Sequence, residues 1–308
     1  MINQKILIST RSFGEYEKSS LEKLRKSGYE IVLNPYGRKL NPSETILLLE
    51  GVTGLIAGTE SLSKDVLESA KKLKVISRCG TGMENVDLNA TKLLGIKVFN
   101  TPDAPTEAVA ELALGLILDI LRRISQADHA IRHGKWSAYM GNLFYGKTLG
   151  IIGLGRIGRR LVELTEPLKL NILACEDKPD KTFVKKWKIN LCGLKKLLNK
   201  SDIVSLHLPL TGQTRNIIGE NELSVMKPSA VLVNTARGGL VDEDALFDAL
   251  RNKAIAGAGL DVFAEEPYQG KLKDVENIVL SCHMGGYAVE SRNQMEMEAT
   301  DNLLKGLE

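Results

Sequence analysis

The chain of 308 residues is too long for a single ordinary core, so two domains of about 100–200 residues each are expected. Its 43% hydrophobic and 26% charged residues exclude a disordered chain, a coiled coil and a collagen-like repeat. Because 41 basic residues are balanced by 38 acidic ones, the net charge of +3 indicates neither a nucleic-acid partner nor an anionic membrane surface.

No apolar run reaches the roughly 18 residues of a membrane span, and the first residues carry no signal-peptide core. The four cysteines form no CxxC pair and few histidines lie near them in sequence, so no metal site is expected. These features are typical of a cytoplasmic protein in a reducing compartment, with each cysteine buried as a small apolar side chain.

In the first hundred residues, short continuous apolar runs alternate with amphipathic stretches. Continuous hydrophobicity is typical of parallel strands that are buried on both faces. Strands are predicted at residues 5–9, 30–33, 54–57, 74–77 and 97–100. Helices are predicted at residues 17–26, 43–50 and 63–72, the last with Ser63 as its N-cap. This βαβα order predicts a wound parallel sheet.

Pro102 and Pro105 interrupt this pattern, and a long apolar helix is predicted to follow them at residues 106–123. A second series of strands is predicted at residues 148–152, 171–174, 203–207, 230–234, 256–260 and 277–281. Residues 287–304 have helical spacing, and we expect this helix to pack back on the first domain. The predicted domains are residues 1–100 with 285–308, and residues 101–284.

The most informative motif is a G-x-G-x-x-G turn between an apolar strand and a helix. Gly153 permits a tight turn, Gly155 lets a pyrophosphate approach the backbone, and Gly158 lets helix and strand pack closely. The acidic pair Glu176-Asp177 follows the next strand, where a carboxylate binds ribose hydroxyls and repels a 2′-phosphate. The second domain is therefore predicted to bind NAD rather than NADP, with Glu176 favoured over Asp177.

Hydride transfer from a secondary alcohol needs a base, a partner that orients the base, and a cation for a substrate carboxylate. His283 follows the last strand, at the sheet edge where open α/β sheets bind ligands. Arg237 and Glu266 also follow strands; a guanidinium suits bidentate binding of a carboxylate, and Glu266 can orient an imidazole. We predict these three residues as the catalytic set. His207 ends another strand, in a position that suits the adenine side of the cofactor.

These motifs resemble those of the D-isomer-specific 2-hydroxyacid dehydrogenase family, and within it the phosphoglycerate dehydrogenase-like branch. The resemblance covers nearly the whole chain and is carried by residues 78–87, 100–102, 106–111, 153–158, 234–239, 261–267 and 283–286. It implies an α/β protein with two doubly wound parallel-sheet domains, a Rossmann NAD-binding domain and a flavodoxin-like substrate domain, with a cleft between them.

By this resemblance the chain is an NAD-dependent D-2-hydroxyacid dehydrogenase that transfers hydride between NAD(H) and a small 2-hydroxy or 2-oxo acid. The resemblance implies that His283 is the acid/base, that Glu266 is its partner, and that Arg237 anchors the substrate carboxylate and carbonyl. A homodimer formed around the long helix is also implied, which would explain the very apolar residues 112–121.

The same resemblance implies further contacts with substrate and cofactor. The substrate contacts are Arg78 and the backbone N–H groups of Gly80 and Thr81. Asp261 is placed at the nicotinamide carboxamide, and His207 and Pro209 are placed beside adenine. The other NAD contacts, besides the three glycines of the turn, are Thr106, Arg156, Ile157, Glu176, Thr235, Ala236 and Gly286.

One position departs from the pattern of the phosphoglycerate enzymes. These usually carry an arginine just after the third strand, which takes the substrate phosphate, and Gly58 stands there in this sequence. Arg78 or Lys135 would then have to meet the phosphate charge. The C-terminal regulatory extension of longer relatives does not follow Glu308, so no serine feedback site of that kind is expected. 3-Phosphoglycerate, with a role in serine biosynthesis, and hydroxypyruvate or glyoxylate stay equally open as substrates.

Two other functions compete with the dehydrogenase. An NADH-sensing, corepressor-like scaffold would keep the glycines and the acidic residue, but it would not need the complete set of Arg237, Glu266 and His283. Oxidation of an inorganic phosphorus acid would use an arginine-containing anion pocket that looks similar in sequence.

Overall fold

The structure is a computed structural model that describes residues 4–308. The chain divides into two compact units: unit 1 is Met1–Pro105 with Gly286–Glu308, and unit 2 is Thr106–Gly285. Each unit contains one parallel sheet, with five strands in unit 1 and seven in unit 2. The predicted class, two wound parallel-sheet α/β domains, is confirmed.

Unit 1 is built on a sheet whose central strand is fully buried. Its strands are β1 Lys5–Ile8, β2 Glu30–Leu33, β3 Val52–Ala57, β4 Val75–Arg78 and β5 Lys97–Asn100. They pair in parallel in the order β2-β1-β3-β4-β5, and all six residues of β3 are buried. Strand β2, the next strand in the chain, pairs with one side of β1, and strand β3 pairs with its other side. The sheet therefore has a topological switch point between β1 and β3.

The first helices of unit 1 connect these strands. They are α1 Ser19–Lys26, α2 Pro42–Leu48, α3 Lys64–Ser69 and α4 Leu88–Leu93. Helix α2 begins with a capping box, in which the Asn41 side chain accepts from the Glu44 N–H and the Glu44 carboxylate accepts from the Asn41 N–H. Ser63 is the N-cap of α3, as predicted, although its side chain makes no capping hydrogen bond.

Unit 2 contains the second sheet, and every strand pair in it is parallel. Its strands are β6 Thr148–Ile152, β7 Asn171–Cys175, β8 Asn190–Leu191, β9 Ile203–Leu206, β10 Val231–Asn234, β11 Gly257–Leu260 and β12 Ile278–Leu280. They pair in the order β12-β11-β10-β9-β6-β7-β8. The edge strand β8 was not predicted, because two exposed residues show no hydrophobic pattern.

The helices of unit 2 flank this sheet. They are α5 Thr106–Arg122, α6 Ile124–Arg132, α7 Arg156–Leu164, α8 Lys181–Lys186, α9 Leu194–Lys200, α10 Glu220–Ser224 and α11 Glu243–Arg251. Helix α5 packs on α7, β10 and β11, and its residues Ala113, Leu116, Ile117 and Leu121 belong to the core of the unit. These four residues are buried within the chain itself, whereas Leu118 of the same helix is exposed, and the implied dimer around this helix stays a prediction.

The last helix, α12 Val289–Leu307, completes unit 1. It packs on α1 and on strands β3, β4 and β5, as the sequence predicts. Its residues Met295, Ala299 and Leu303 join a core cluster with Ile6 and Ile8 of β1. Burying a side chain such as Met295 or Leu303 contributes roughly 1.5–3 kcal/mol, so this helix is an integral part of the unit.

Two further expectations concern the solvent exposure of the chain. Within residues 4–308, no helix is long and apolar enough to cross a membrane. Cys79 is buried, and Cys175 and Cys192 are half-buried, but Cys282 is exposed. The prediction that each cysteine is a buried apolar side chain is therefore wrong for Cys282, which lies in the irregular segment after β12.

Candidate active site

The residues predicted for unit 2 lie along one edge of its sheet. In the spatial order of the strands they are Glu176 after β7, the glycine-rich turn after β6, His207 after β9, residues 235–237 after β10, Asp261 after β11 and His283 after β12. All of them follow the carboxyl ends of parallel strands, which is where open α/β sheets bind ligands. The structure therefore brings these predicted site residues of unit 2 to a common edge.

The glycine-rich turn between β6 and α7 has the geometry that its motif predicts. Gly153 has a φ of +94°, and a Cβ atom there would lie 2.6 Å from the carbonyl oxygen of His207. A Cβ at Gly158 would lie 2.3 Å from the carbonyl oxygen of Gly153. A Cβ at Gly155, in contrast, would meet no atom within 4 Å. Packing of the protein thus requires glycine at 153 and 158, whereas Gly155 leaves open space at the start of α7.

The N-terminus of α7 is arranged to receive an anion. Its N-cap, Gly155, has no side chain, and no side chain caps the first turn. Glu176 accepts one hydrogen bond from the Leu154 N–H at 2.8 Å and another from the Lys178 N–H at 3.1 Å. These bonds hold the Glu176 carboxylate beside the turn, while Asp177 is exposed. A diphosphate at the helix N-terminus and a ribose at Glu176 fit this arrangement.

The two glycines Gly155 and Gly158 give a matched pair of substitutions. Gly158→Ala is expected to destabilise the protein by about 1–3 kcal/mol, because its Cβ would overlap a backbone oxygen. Gly155→Ala is expected to leave stability unchanged and to weaken NADH binding about ten-fold, because its methyl group enters the space that the pyrophosphate needs. Denaturant melts and NADH fluorescence titrations measure the two effects. Wild-type NADH affinity in Gly155→Ala would contradict the assignment of this turn.

Five buried polar atoms in unit 2 have no hydrogen-bond partner among the described residues. Two of them belong to Gln126 and Trp187, and the other three are Thr106 Oγ1, His207 Nδ1 and Thr235 Oγ1. All three residues were predicted as NAD contacts. A buried polar atom without a partner is costly, so such atoms are typical of a surface that a ligand completes. The other His207 nitrogen, Nε2, lies 2.9 Å from Ser205 Oγ, and burial lowers the pKa of this imidazole to about 4. His207 is therefore neutral near pH 7.

The two residues predicted as acid/base and partner are in direct contact. His283 Nδ1 lies 2.8 Å from Glu266 Oε2, and Glu266 Oε1 accepts from the Phe263 N–H at 3.1 Å. The His283 side chain is 50% exposed, so a small molecule can reach the imidazole. Because Nδ1 faces the carboxylate, Nε2 is the ring nitrogen that remains for proton transfer.

The loop that carries His283 is held by Asp261, which is fully buried. The Asp261 carbonyl accepts from the His283 N–H, and its carboxylate accepts from Ser281 Oγ and from the Met284 and Gly285 N–H groups at 2.7–2.8 Å. His283 has a φ of +54°, a strained conformation that these bonds maintain. The predicted contact of Asp261 with the nicotinamide carboxamide stays a prediction, since three bonds already occupy the carboxylate.

Arg237 is carried by a tight turn after β10. The Asn234 side chain donates to the Arg237 carbonyl at 2.8 Å and accepts from the Ala236 N–H at 3.0 Å. A Cβ at Gly238 would lie 1.8 Å from the Phe263 carbonyl oxygen, so this glycine lets the turn pack directly on the loop before Glu266. Gly238 therefore meets protein backbone rather than open space.

The residues predicted to bind the substrate in unit 1 follow β4. Arg78 Nη1 donates to the Cys79 carbonyl. The Gly80 N–H donates to Thr101 Oγ1 at 2.8 Å and to the Arg78 carbonyl at 3.0 Å, so this amide holds the loop together. Thr81 is exposed. The Gly80 N–H is thus already bonded within the loop. The predicted contact of a backbone N–H with the substrate carboxylate stays a prediction for Thr81.

The remaining predicted cofactor contacts differ in exposure. Arg156 and Pro209 are exposed, Ile157 is half-buried and Ala236 is buried, all in unit 2. Gly286 begins the second segment of unit 1.

Sequence reasoning did not find the role of Asp261 in holding the His283 loop. A carboxylate between Leu260 and Val262, in an otherwise apolar stretch, was the available signal, because a buried carboxylate requires hydrogen-bond donors.

This sheet edge, with its glycine-rich turn and its histidine–carboxylate pair, defines an NAD-dependent oxidoreductase that acts on CH–OH groups. A family model described as "D-isomer specific 2-hydroxyacid dehydrogenase, NAD binding domain" matches residues 114–285. The chain belongs to this family of D-isomer-specific 2-hydroxyacid dehydrogenases.

Named relatives and a solved structure agree with this assignment. A glyoxylate reductase from Thermococcus litoralis is 40% identical over 256 residues, which are 80% of this chain and 77% of that protein. A D-3-phosphoglycerate dehydrogenase from Methanocaldococcus jannaschii is 41% identical over 240 residues, which are 77% of this chain and 46% of that longer protein. The structure of a glyoxylate reductase from Paecilomyes thermophila has a TM-score of 0.88 at 30% identity, covering 100% of this chain and 96% of its own.

Proposed function

We propose that this enzyme reduces a small 2-oxo acid to the D-2-hydroxy acid with NADH and catalyses the reverse oxidation with NAD. The observation that carries this proposal is the 2.8 Å contact between His283 Nδ1 and Glu266 Oε2. Support also comes from the turn of Arg237, which packs against the loop that precedes Glu266. Relatives named glyoxylate reductase and D-3-phosphoglycerate dehydrogenase act on acids of this class.

Each member of the catalytic set has its own part in the proposed chemistry. When bound, NADH supplies the hydride. His283 Nε2 gives a proton to the carbonyl oxygen of the 2-oxo acid, or takes the proton from the hydroxyl group in the reverse direction. Glu266 fixes the orientation of the imidazole and stabilises its protonated form. Arg237 binds the substrate carboxylate and polarises the carbonyl.

We also propose Arg78 and the Thr81 N–H as contacts of the substrate carboxylate. Arg78 ends β4 and Thr81 lies in the loop that follows it, so both belong to the carboxyl edge of the unit 1 sheet. A guanidinium and a backbone amide are the donor types that carboxylates take in proteins.

The test is an absorbance assay of NADH consumption on glyoxylate, hydroxypyruvate, pyruvate, 3-phosphohydroxypyruvate and 2-oxoglutarate. Turnover on at least one of these acids is expected, with D-configured product by chiral chromatography. A clear preference for 3-phosphohydroxypyruvate would assign the enzyme to serine biosynthesis. NADH binding without turnover on any acid would refute the dehydrogenase and favour the NADH-sensing scaffold.

We further propose that the enzyme is a cytoplasmic homodimer joined through the region around α5, with residues 135–145 of unit 2 in the interface. In this segment Trp136 is 92% exposed, Met140 89% and Leu143 68%, and large apolar side chains exposed together are typical of a protein interface. Light scattering on a size-exclusion column is expected to give twice the chain mass. The variant Trp136→Ser/Met140→Ser is expected to elute as a monomer. A monomeric wild-type protein would contradict this proposal.

A further inference from the structure

Two cysteines of unit 2 are neighbours at one edge of its sheet. Strands β7 and β8 pair in parallel, with Ala174 opposite Leu191. The Cys192 N–H continues this ladder, because it donates to the Ala174 carbonyl at 2.9 Å. The next two residues in register are therefore Cys175, which ends β7, and Cys192, which directly follows β8.

The side chains of these two cysteines lie on the same face of the sheet. Residues opposite each other in paired strands share a face, and both cysteines pack against the core cluster that contains Leu197 and Leu198 of α9. Paired strands lie about 4.8 Å apart, and disulfides join residues whose Cα atoms are about 4.4–6.8 Å apart. Both side chains are free thiols in the structure, and the spacing of their strands suits a disulfide.

The two thiols differ in their surroundings. Both are half-buried, but Cys192 follows the edge strand, whose own two residues are exposed. Burial raises the pKa of the Cys175 thiol, and the nearby Asp177 and Cys192 act in the same direction. Because the thiolate is the attacking form, Cys175 reacts poorly with a reagent from solution. Cys192 is therefore the thiol that reacts first, and Cys175 then attacks it from the neighbouring strand.

The end of β7 also belongs to the predicted NADH site. The Cys175 carbonyl accepts from the Gly153 N–H at 3.0 Å, and Glu176, the next residue, accepts from the Leu154 N–H at 2.8 Å. These two bonds join the end of β7 to the glycine-rich turn after β6. Strand β8 lies on the other side of β7 from β6, so a bridge to Cys192 would draw the end of β7 away from that turn.

We propose that Cys175 and Cys192 form a reversible disulfide that weakens NADH binding. The oxidant is a small-molecule disulfide such as oxidised glutathione. The Cys192 thiolate attacks one of its sulfurs and releases the first small thiol; the Cys175 thiolate then attacks Cys192 Sγ and releases the second. The two protein thiols are oxidised, the small disulfide is reduced to two thiols, and the two protein protons pass to them.

Reversible disulfides of this kind are the ones that serve redox sensing in reducing compartments. The switch acts on NADH binding, so it does not depend on which 2-oxo acid the enzyme reduces.

The test treats the reduced enzyme with oxidised glutathione and follows both the thiols and the NADH affinity. Mass spectrometry is expected to show the loss of two hydrogen atoms and a pair of peptides bridged between Cys175 and Cys192. Fluorescence titration is expected to give about ten-fold weaker NADH binding, because the Glu176 carboxylate moves with the end of β7. Dithiothreitol is expected to restore the affinity of the reduced enzyme.

Two serine variants separate this bridge from other thiol chemistry. Cys192→Ser is expected to keep the NADH affinity of the reduced wild-type enzyme before and after the treatment. Cys282→Ser is the matched control, since it removes the exposed thiol beside His283, and it is expected to form the bridge and lose affinity as the wild type does. A loss that persists in Cys192→Ser and disappears in Cys282→Ser would overturn the proposal and assign the effect to Cys282.

Two further outcomes would contradict the proposed switch. A glutathione adduct that stays on Cys192, with no bridge, would show that the two sulfur atoms cannot meet. A bridged enzyme that binds NADH as tightly as the reduced one would show that the disulfide does not regulate the site. Both readouts come from NADH binding and thiol chemistry, so they hold even if no 2-oxo acid is turned over.

Discussion

His283→Ala is expected to lower kcat by about 100- to 10,000-fold while NADH still binds with wild-type affinity. The imidazole is held by Glu266 and by the Asp261 loop, and no other histidine of the described chain contacts a carboxylate of this sheet edge. Removing it deletes the group that exchanges a proton with the substrate oxygen. Steady-state NADH consumption gives kcat, and quenching of protein fluorescence gives the NADH affinity.

His129→Ala is the matched control, since this histidine is exposed on α6. It is expected to keep the kcat of the wild type. A kcat of His283→Ala within a few-fold of the wild type would show that the proton is transferred elsewhere. Loss of NADH binding in the same variant would indicate that the His283 loop has collapsed, and His283→Asn, which tolerates the positive φ, then isolates the chemical role.

Arg237→Ala is expected to reduce kcat/KM for 2-oxo acids by about 100- to 1,000-fold, because an ion pair between the guanidinium and the substrate carboxylate is lost in a partly buried site. Arg237→Lys keeps the charge but lacks the planar pair of donors, so it is expected to recover only part of the loss. The effect should appear in KM as well as in kcat, since the same group binds the carboxylate and polarises the carbonyl.

Arg251→Ala on the exposed end of α11 is the control, and its kcat/KM is expected to match the wild type. A loss in Arg237→Ala that is confined to NADH affinity would assign Arg237 to the cofactor instead. Equal kcat/KM for Arg237→Lys and the wild type would show that a point charge suffices and that no bidentate contact forms.

Most of the sheet framework was predictable, because a strand buried on both faces needs an uninterrupted apolar run. Strand β3 is the clearest case, since all six of its residues are buried. The end of β9 was placed one residue too far, at His207, because a histidine beside an apolar run shows no boundary signal. Strand β8 was missed, since two exposed residues paired at a sheet edge leave no periodicity.

The candidate site was predictable as far as its residues follow strand ends. His283, Arg237 and Glu266 were found because parallel strands bring their carboxyl ends to one edge, and that rule needs no distances. The supporting contacts were not predictable. The Asp261 carboxylate receives its donors from residues about 20 positions away, and Gly238 meets the backbone of Phe263, so both roles depend on loop packing that no local pattern encodes.

The position of α12 in the chain has a consequence for biosynthesis. Unit 1 leaves the ribosome first, but its core lacks Met295, Ala299 and Leu303 until the whole of unit 2 has been translated. Unit 2 is continuous in sequence and is complete before α12 emerges. Domains fold as units during synthesis, so the later-translated half of the molecule is able to finish folding before the earlier one does. The sheet of unit 1 must then keep an apolar face uncovered until α12 has been translated.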